Sequence, residues 1–248
     1  MRIARIAVLV AAASAGVSGT VSAQTWSERV HISVNGAFQT ASNDFSDRFE
    51  FQKDLETGST ETDHPVSSGF LFDAGGGVRL WKNLGAGVAL SYFTHKDTAS
   101  TTTRSPHPFF FNQLRDVAGE APDLSRTETA VHIQAMYFIN PSGPLRLVLS
   151  GGPTFYNVET ELVTEIVLRE AFPFDTAEFS SARTQKASGS APGFNAGADV
   201  MWMLGRNFGV GGILRFSKAT VDLDASDNRT ISVDAGGFYA GGGVRILF

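Results

Sequence analysis

The sequence predicts an all-β protein, an eight-stranded antiparallel up-and-down transmembrane β-barrel with short periplasmic turns and long extracellular loops. Apolar and polar residues alternate with a period of two in eight separate segments, as in strands whose two faces meet different surroundings. The connections between the segments alternate between short and long. The chain has 26 glycines, 20 phenylalanines and no cysteine, a composition that suits a closed barrel.

Each alternating segment has about the 9–11 residues that a tilted strand needs to cross the hydrocarbon of a membrane. The predicted strands cover residues 29–39, 70–80, 84–95, 129–140, 145–156, 194–204, 208–218 and 236–248. We expect tight periplasmic turns at 81–83, 141–144 and 205–207, and long outer loops at 40–69, 96–128, 157–193 and 219–235. Ten strands remain possible if residues 96–128 contain another hairpin.

Aromatic residues form two bands on the apolar face of these strands, as expected at the two interfaces of a membrane. A soluble β-sandwich is the alternative, and its strands would bury their apolar face in a core. The band near the short turns contains Trp81, Tyr137, Trp202, Phe208 and Phe248. The band toward the long loops contains Phe38, Phe72, Tyr92, Phe155, Phe194, Phe216 and Phe238.

The beginning of the chain has the pattern of a secretory signal peptide. Arg2 and Arg5 precede an apolar run at 6–17, and small residues follow at 21–23. That run is too short for a membrane-spanning helix. We therefore expect a signal peptide at 1–23 and a barrel domain at 24–248 in the bacterial outer membrane. The net charge of −5 and the lack of a basic tract argue against nucleic-acid binding.

The export signal, the alternating strands, the segment GGGVRLWKNLGAGVALSYF (75–93) and the final GGGVRILF (241–248) resemble the small outer-membrane barrels of the OmpA, OmpX and OmpW type. The resemblance implies that the last strand, with Val244, Ile246 and Phe248, is read by the barrel-assembly machinery. The OmpW type implies a narrow channel for small or apolar solutes. We expect a monomer whose partners are outer-membrane lipid and lipopolysaccharide.

Several charged residues have the parity of the barrel interior, where desolvation makes an unpaired charge costly. Asp73, Asp199 and Arg215 fall at similar heights, and we expect them to form a charge network together with His132 and Glu128. Nearer the short turns, a basic cluster is predicted at the periplasmic mouth. It contains Arg29, Arg79, Arg146 and Arg245, which would bind an anion or reach into periplasmic water.

Two outer loops carry unusual patterns. Phe109, Phe110 and Phe111 form an apolar run that would pack in a local core, cover the barrel mouth, or contact lipopolysaccharide or another extracellular ligand. Residues 158–170 alternate again, which predicts that the fifth strand continues above the membrane and pairs with 180–190. A bulge at 151–157 would explain the change of parity, and a helix is the alternative.

The sequence contains no convincing catalytic or metal-binding pattern. His31 and Ser33 share a face, but that face is the lumen, and the other histidines lack metal-ligand spacing. We therefore expect no enzyme and no cofactor. The predicted function is a structural or surface-interaction role through the outer loops. A narrow channel is the first alternative, and a lipid A-modifying enzyme is the second.

Overall fold

The computed structural model describes residues 29–40, 44–141, 143–225 and 229–248, most of them in β-strands. The expected signal peptide at 1–23 lies outside the described residues. No helix in the described part of the chain is long and apolar enough to cross a membrane. The strands are β1 (Val30–Gln39), β2 (Phe45–Lys53), β3 (Glu56–His64), β4 (Gly69–Trp81), β5 (Leu84–Pro106), β6 (Leu114–Ile139), β7 (Leu145–Glu170), β8 (Ala177–Met203), β9 (Phe208–Asp224) and β10 (Thr230–Leu247).

Eight of these strands close into an antiparallel ring. β1 pairs with β4 on one side and with β10 on the other. The strands from β4 to β10 pair with one another in chain order. Closure gives every strand of the ring two neighbours, so the lower part of the ring has no open edge. The predicted all-β antiparallel class is confirmed, including the pairing of the last strand with the first.

The other two strands form a hairpin that extends the sheet at one end of the ring. β3 runs along the outer part of β5, from Ser59↔Arg104 to Asp63↔Ser100, and β2 pairs with β3. The described residues therefore form ten strands, but the extra hairpin lies within residues 40–69 and not within 96–128. We call the end that carries this hairpin the upper end, and the end with the short turns the lower end.

The prediction of long upper loops is wrong for most of residues 96–128 and 157–193. β5 has 23 residues, β6 and β7 have 26 each, and β8 has 27, so these strands continue far above the predicted membrane segments. The remaining connections are short, at 107–113 and 171–176. The strands continue because alternation persists above the aromatic bands, with the apolar and polar faces exchanged.

β7 shows this exchange most clearly. Its upper part pairs with β8, for example Val158↔Gly189, which confirms the predicted strand and excludes the helix. The expected bulge at 151–157 is wrong, because the β7–β8 register is unbroken from Leu145 to Val163. Even-numbered side chains face the interior throughout this stretch. The side chains at those positions become apolar, and the parity of the strand does not change.

The interior of the upper end is an apolar core. Its largest cluster includes Tyr156, Val158, Leu162, Val221, Leu223 and Val233. Burying a side chain of this kind stabilises the fold by about 1.5–3 kcal/mol. On the outside of the same region the side chains are polar, as at Ser100, Thr102 and Arg104 of β5. The upper end is therefore built like a water-soluble protein.

The β7–β8 hairpin folds across the top of the ring. The described pairs between β6 and β7 end at Arg126↔Thr160, and the hairpin then packs on the inner face of β6. Phe179 lies so close to Gly119 that a Cβ at this glycine would be 2.3 Å from the ring of Phe179. A second apolar cluster of Phe49, Ala99, Ala121, Leu124 and Val163 fills the space beneath.

Candidate functional site

The outer face of the lower end carries an apolar belt. All twelve residues of the two predicted aromatic bands are exposed on this face, with fractions from 40% for Phe216 to 65% for Trp81. Aliphatic side chains between the bands, such as Val88 and Leu90, are about equally exposed. Contiguous exposed apolar surface of this extent is rare on soluble monomers.

The lumen inside the belt holds a connected network of buried charges. Arg215 donates to Asp73 over 2.7 Å and also to the hydroxyl of Tyr239, and Tyr239 donates to the same carboxylate over 3.1 Å. Asn35 donates to the other oxygen of Asp73 over 2.9 Å. The amide oxygen of Asn35 accepts from Arg245 over 2.6 Å. Both ends of the Asn35 amide therefore join two ion pairs.

The second ion pair joins Arg245 to Asp199. Nε of Arg245 donates to one carboxylate oxygen of Asp199 over 2.9 Å, and Nη2 lies 2.7 Å from the other oxygen. The network thus differs from the expected one, because Asp199 pairs with Arg245 and not with Arg215. Arg245 was expected at the basic mouth, yet it is fully buried. The alternation of a strand predicts the face of a residue but not the partner across the ring.

The two other expected network members lie elsewhere in the lumen. His132 is buried between Ser91 and Thr154, with ring nitrogens 3.0 and 2.8 Å from their hydroxyls. Glu128 lies nearer the upper end, where it pairs with Arg126 at 2.8 Å. Its second oxygen accepts the backbone N–H of Gly236 over 2.9 Å. Both residues are satisfied locally.

The lower mouth retains three of the four expected arginines. Arg29 is exposed, while Arg79 and Arg146 are half-buried. Arg146 donates to the carbonyl oxygens of Gly143 and Leu145, so its guanidinium caps the adjacent turn. Without Arg245, the mouth is less basic than the sequence suggested.

An apolar layer that the sequence reasoning missed lies inside the ring near this mouth. It consists of Met136, Phe138, Val148, Met201 and Leu247, each at most 5% exposed. The signal was present in the sequence, because Met136 and Phe138 have the inward parity of β6. These side chains fill the ring beneath the charge network.

A small cavity lies between the network and the apolar layer. His31, Ser33, Gln134 and Arg215 contribute polar atoms to its wall, and its size allows about one water molecule. His31 Nδ1 and Arg215 Nε have no hydrogen-bond partner among the described residues. A buried water is the usual partner of such atoms.

Exposed aromatic residues cover the extreme upper end. Phe109, Phe110 and Phe111 are 67%, 59% and 69% exposed, and Phe172 is 86% exposed. Leu55, at the turn of the β2–β3 hairpin, is 90% exposed. We call these four phenylalanines together with Leu55 the aromatic tip. None of them belongs to the belt, which lies at the other end of the ring.

Among known proteins, similarity is found to solved structures. No protein-family model matches the sequence, and no curated protein matches it. Solved structures do match. The chain is similar in fold to small outer-membrane β-barrel proteins.

Three of these structures illustrate the similarity. Neisserial surface protein A matches at 14% identity and a TM-score of 0.42, over 88% of this chain and 97% of that one. The outer-membrane protease OmpT from Escherichia coli matches at 8% identity and a TM-score of 0.46, over 88% and 97%. The attachment invasion locus protein Ail of Yersinia pestis matches at 13% identity and a TM-score of 0.35, over 88% and 98%.

The described part of the chain contains no group of three or more His, Asp or Glu side chains able to hold a metal ion. His31 and Ser33 are 4% and 5% exposed and face the lumen of the lower end. They line the small cavity described above.

Proposed function

We propose that this chain is an integral outer-membrane protein with a closed lumen and a structural or surface-interaction role at its upper end. The apolar belt supports the location, because its two aromatic bands have the arrangement of membrane interfaces. In this proposal residues 1–23 direct export, the lower end faces the periplasm and the upper end faces the environment. Because the eight-stranded ring closes within one chain, we propose a monomer.

The filled lumen is the observation that favours a surface role over transport. From the bottom upward, the ring contains the apolar layer, the ion-pair network and the upper apolar core. An eight-stranded ring is only wide enough for its own side chains, and here these side chains contact one another. Removing the pairing of any buried charge is costly, so the network resists opening.

A narrow channel is the second candidate function. The small cavity favours it, because it already separates the network from the apolar layer in the lower lumen. In that case a modest shift of Met136 and its neighbours would connect the cavity to the periplasm. An enzyme is less favoured, because His31 and Ser33 are buried in the lumen, away from lipid and from any external substrate.

The deciding experiment is single-channel conductance in a planar bilayer. Refolded residues 24–248 are used, after a gel has shown that the unheated protein migrates as a compact barrel. We expect no steady conductance. A steady conductance that changes in Arg215→Ala, but not in the matched control Arg104→Ala on the outer face of the upper end, would establish the channel instead.

A further inference from the structure

The aromatic tip is assembled from three separate connections, which hold one another in place. The backbone N–H of Asn112 donates to Glu56 at the β2–β3 turn over 2.7 Å. Phe109 contacts Phe174 edge to face, with ring centres 5.4 Å apart. Lys53, beside the β2–β3 turn, reaches Glu170 at the end of β7 over 2.6 Å. The tip is therefore one continuous surface.

A buried histidine fixes the three consecutive phenylalanines. His107 is 1% exposed, and its Nδ1 accepts the backbone N–H groups of Phe109 and Phe110 over 3.1 and 3.3 Å. Its ring packs against Phe110, with centres 4.8 Å apart. With the backbone anchored in this way, the phenyl rings point away from the core. Their exposure is thus built into the local structure.

The charges around the tip are distributed unevenly. Among the cations near the tip, Lys53 and Arg115 share Glu170, Arg104 pairs with Asp116, and Arg169 is exposed. Acidic groups remain available, since Asp54 is exposed and the side chain of Asp175 is 66% exposed. The exposed surface thus combines aromatic faces with carboxylates, and both attract a quaternary ammonium group. The connections of the tip and the adjoining strand ends carry two more carboxylates than cations, and this excess disfavours an anionic surface. The carboxylates are Asp54, Glu56, Asp116, Glu170, Asp175 and Glu178, and the cations are Lys53, Arg104, Arg115 and Arg169.

We infer that the aromatic tip docks onto a bilayer of choline phospholipid, with the phenyl rings entering its interface and the acidic groups meeting its trimethylammonium headgroups. This inference rests on the proposed function, which places the upper end outside the cell. A lipid surface fits better than a protein partner. The connections at 54–55, 107–113 and 171–176 contain no Trp, Tyr or Arg, the residues that usually anchor protein interfaces.

The test uses residues 24–248 inserted into nanodiscs and mixed with phosphatidylcholine vesicles in a flotation assay. We expect the nanodiscs to float with these vesicles, and to float much less with phosphatidylethanolamine or phosphatidylglycerol vesicles. Changing Phe110 and Phe172 together to Ser should weaken binding about tenfold or more, since each change removes an apolar side chain from the interface. The matched control, Thr102→Ser with Thr127→Ser, removes one methyl group from each of two upper-strand side chains away from the tip and should bind normally.

Several results would overturn the inference. They are absent binding to phosphatidylcholine, equal binding to all three lipids, or normal binding by the Phe110/Phe172 variant. Association of nanodiscs with one another, lost in the same variant, would assign the tip to a second copy. The double variant alters packing around Phe174. Leu55→Ser, at the β2–β3 turn, therefore serves as a second variant, and its binding to phosphatidylcholine vesicles should also weaken. Protease accessibility of the tip on intact cells tests the proposed function separately, so a displayed tip that binds no lipid rejects only this inference.

Discussion

The lower and upper ends of the ring use the same strands in opposite ways. In β5, Val88 faces outward in the lower end and Thr102 faces outward in the upper end, on the same side of one continuous strand. Inside the ring, the lower end contains ion pairs such as Arg215–Asp73, whereas the upper end contains Val158 and Leu162. In β5 the same set of positions faces outward in both ends, and the side chains at those positions change from apolar to polar.

Under the proposed function, this difference follows from the surroundings of each end. Where hydrocarbon covers the outside, burying apolar side chains in the lumen brings no advantage over leaving them in lipid. The lumen can then be polar, provided that its charges are paired. Where water covers the outside, the hydrophobic effect favours apolar side chains at the same inward positions, and these side chains form a core. In that proposal, the exchange of faces marks the upper limit of the membrane.

The largest expected effect is a loss of stability when a buried ion pair of the lower end is broken. Asp73→Ala leaves Arg215 buried without its carboxylate and removes an acceptor of Tyr239 and Asn35, so we expect a loss of about 3–5 kcal/mol in the free energy of unfolding. The measurement is denaturant unfolding in lipid vesicles. Asp73→Ala combined with Arg215→Leu should recover much of the loss, because no charge is then left unpaired. If the single and double variants are equally unstable, Asp73 and Arg215 do not depend on each other.

The next largest effect comes from placing a charge on the outer face of β5, in the lower end and in the upper end. Val88→Arg places a charge in the middle of the belt, and we expect a loss of about 2–4 kcal/mol. Thr102→Arg, on the same face of β5 and opposite Glu61, should stay within about 0.5 kcal/mol of the unmodified protein. Both free energies come from the same denaturant unfolding. Equal costs at the two positions would mean that the membrane reaches Thr102 or does not reach Val88.

The sequence predicts the lower end well and the upper end poorly, for related reasons. The twelve aromatic residues of the belt could be found because one face of each lower strand follows one simple rule, apolar at every second position. The rule fails above the belt, where the apolar residues of β7 move to even positions. That change was interpreted as a bulge, because periodicity alone does not distinguish a shifted parity from a changed environment.

The extra hairpin was not predicted because its turn has an unusual sequence. The partners in the charge network were not predicted because they depend on the register of the whole ring. The turn of the hairpin places Asp54 and Leu55 at φ values of 52° and 66°, where Asn or Gly usually marks such a turn. The pairing of Arg245 with Asp199 depends on the register accumulated around the ring. Both residues were correctly assigned to the lumen, but their heights could not be compared without that register.

The smallest effect concerns the stability of the upper end against acid. His64 of β3 stacks on Phe45 with ring centres 4.6 Å apart, and burial lowers its pKa from 6.5 to about 4 although Asp47 and Asp63 oppose that shift. Between these two pH values the unfolded hairpin binds a proton that the folded hairpin does not, so its stability must fall as the pH drops from 6.5 to 4. We expect proteolysis of the β2–β3 hairpin to accelerate over this range in the unmodified protein, and less in His64→Leu, which cannot titrate. Identical pH profiles for the two proteins would place the acid sensitivity of the upper end in its carboxylates and not in His64.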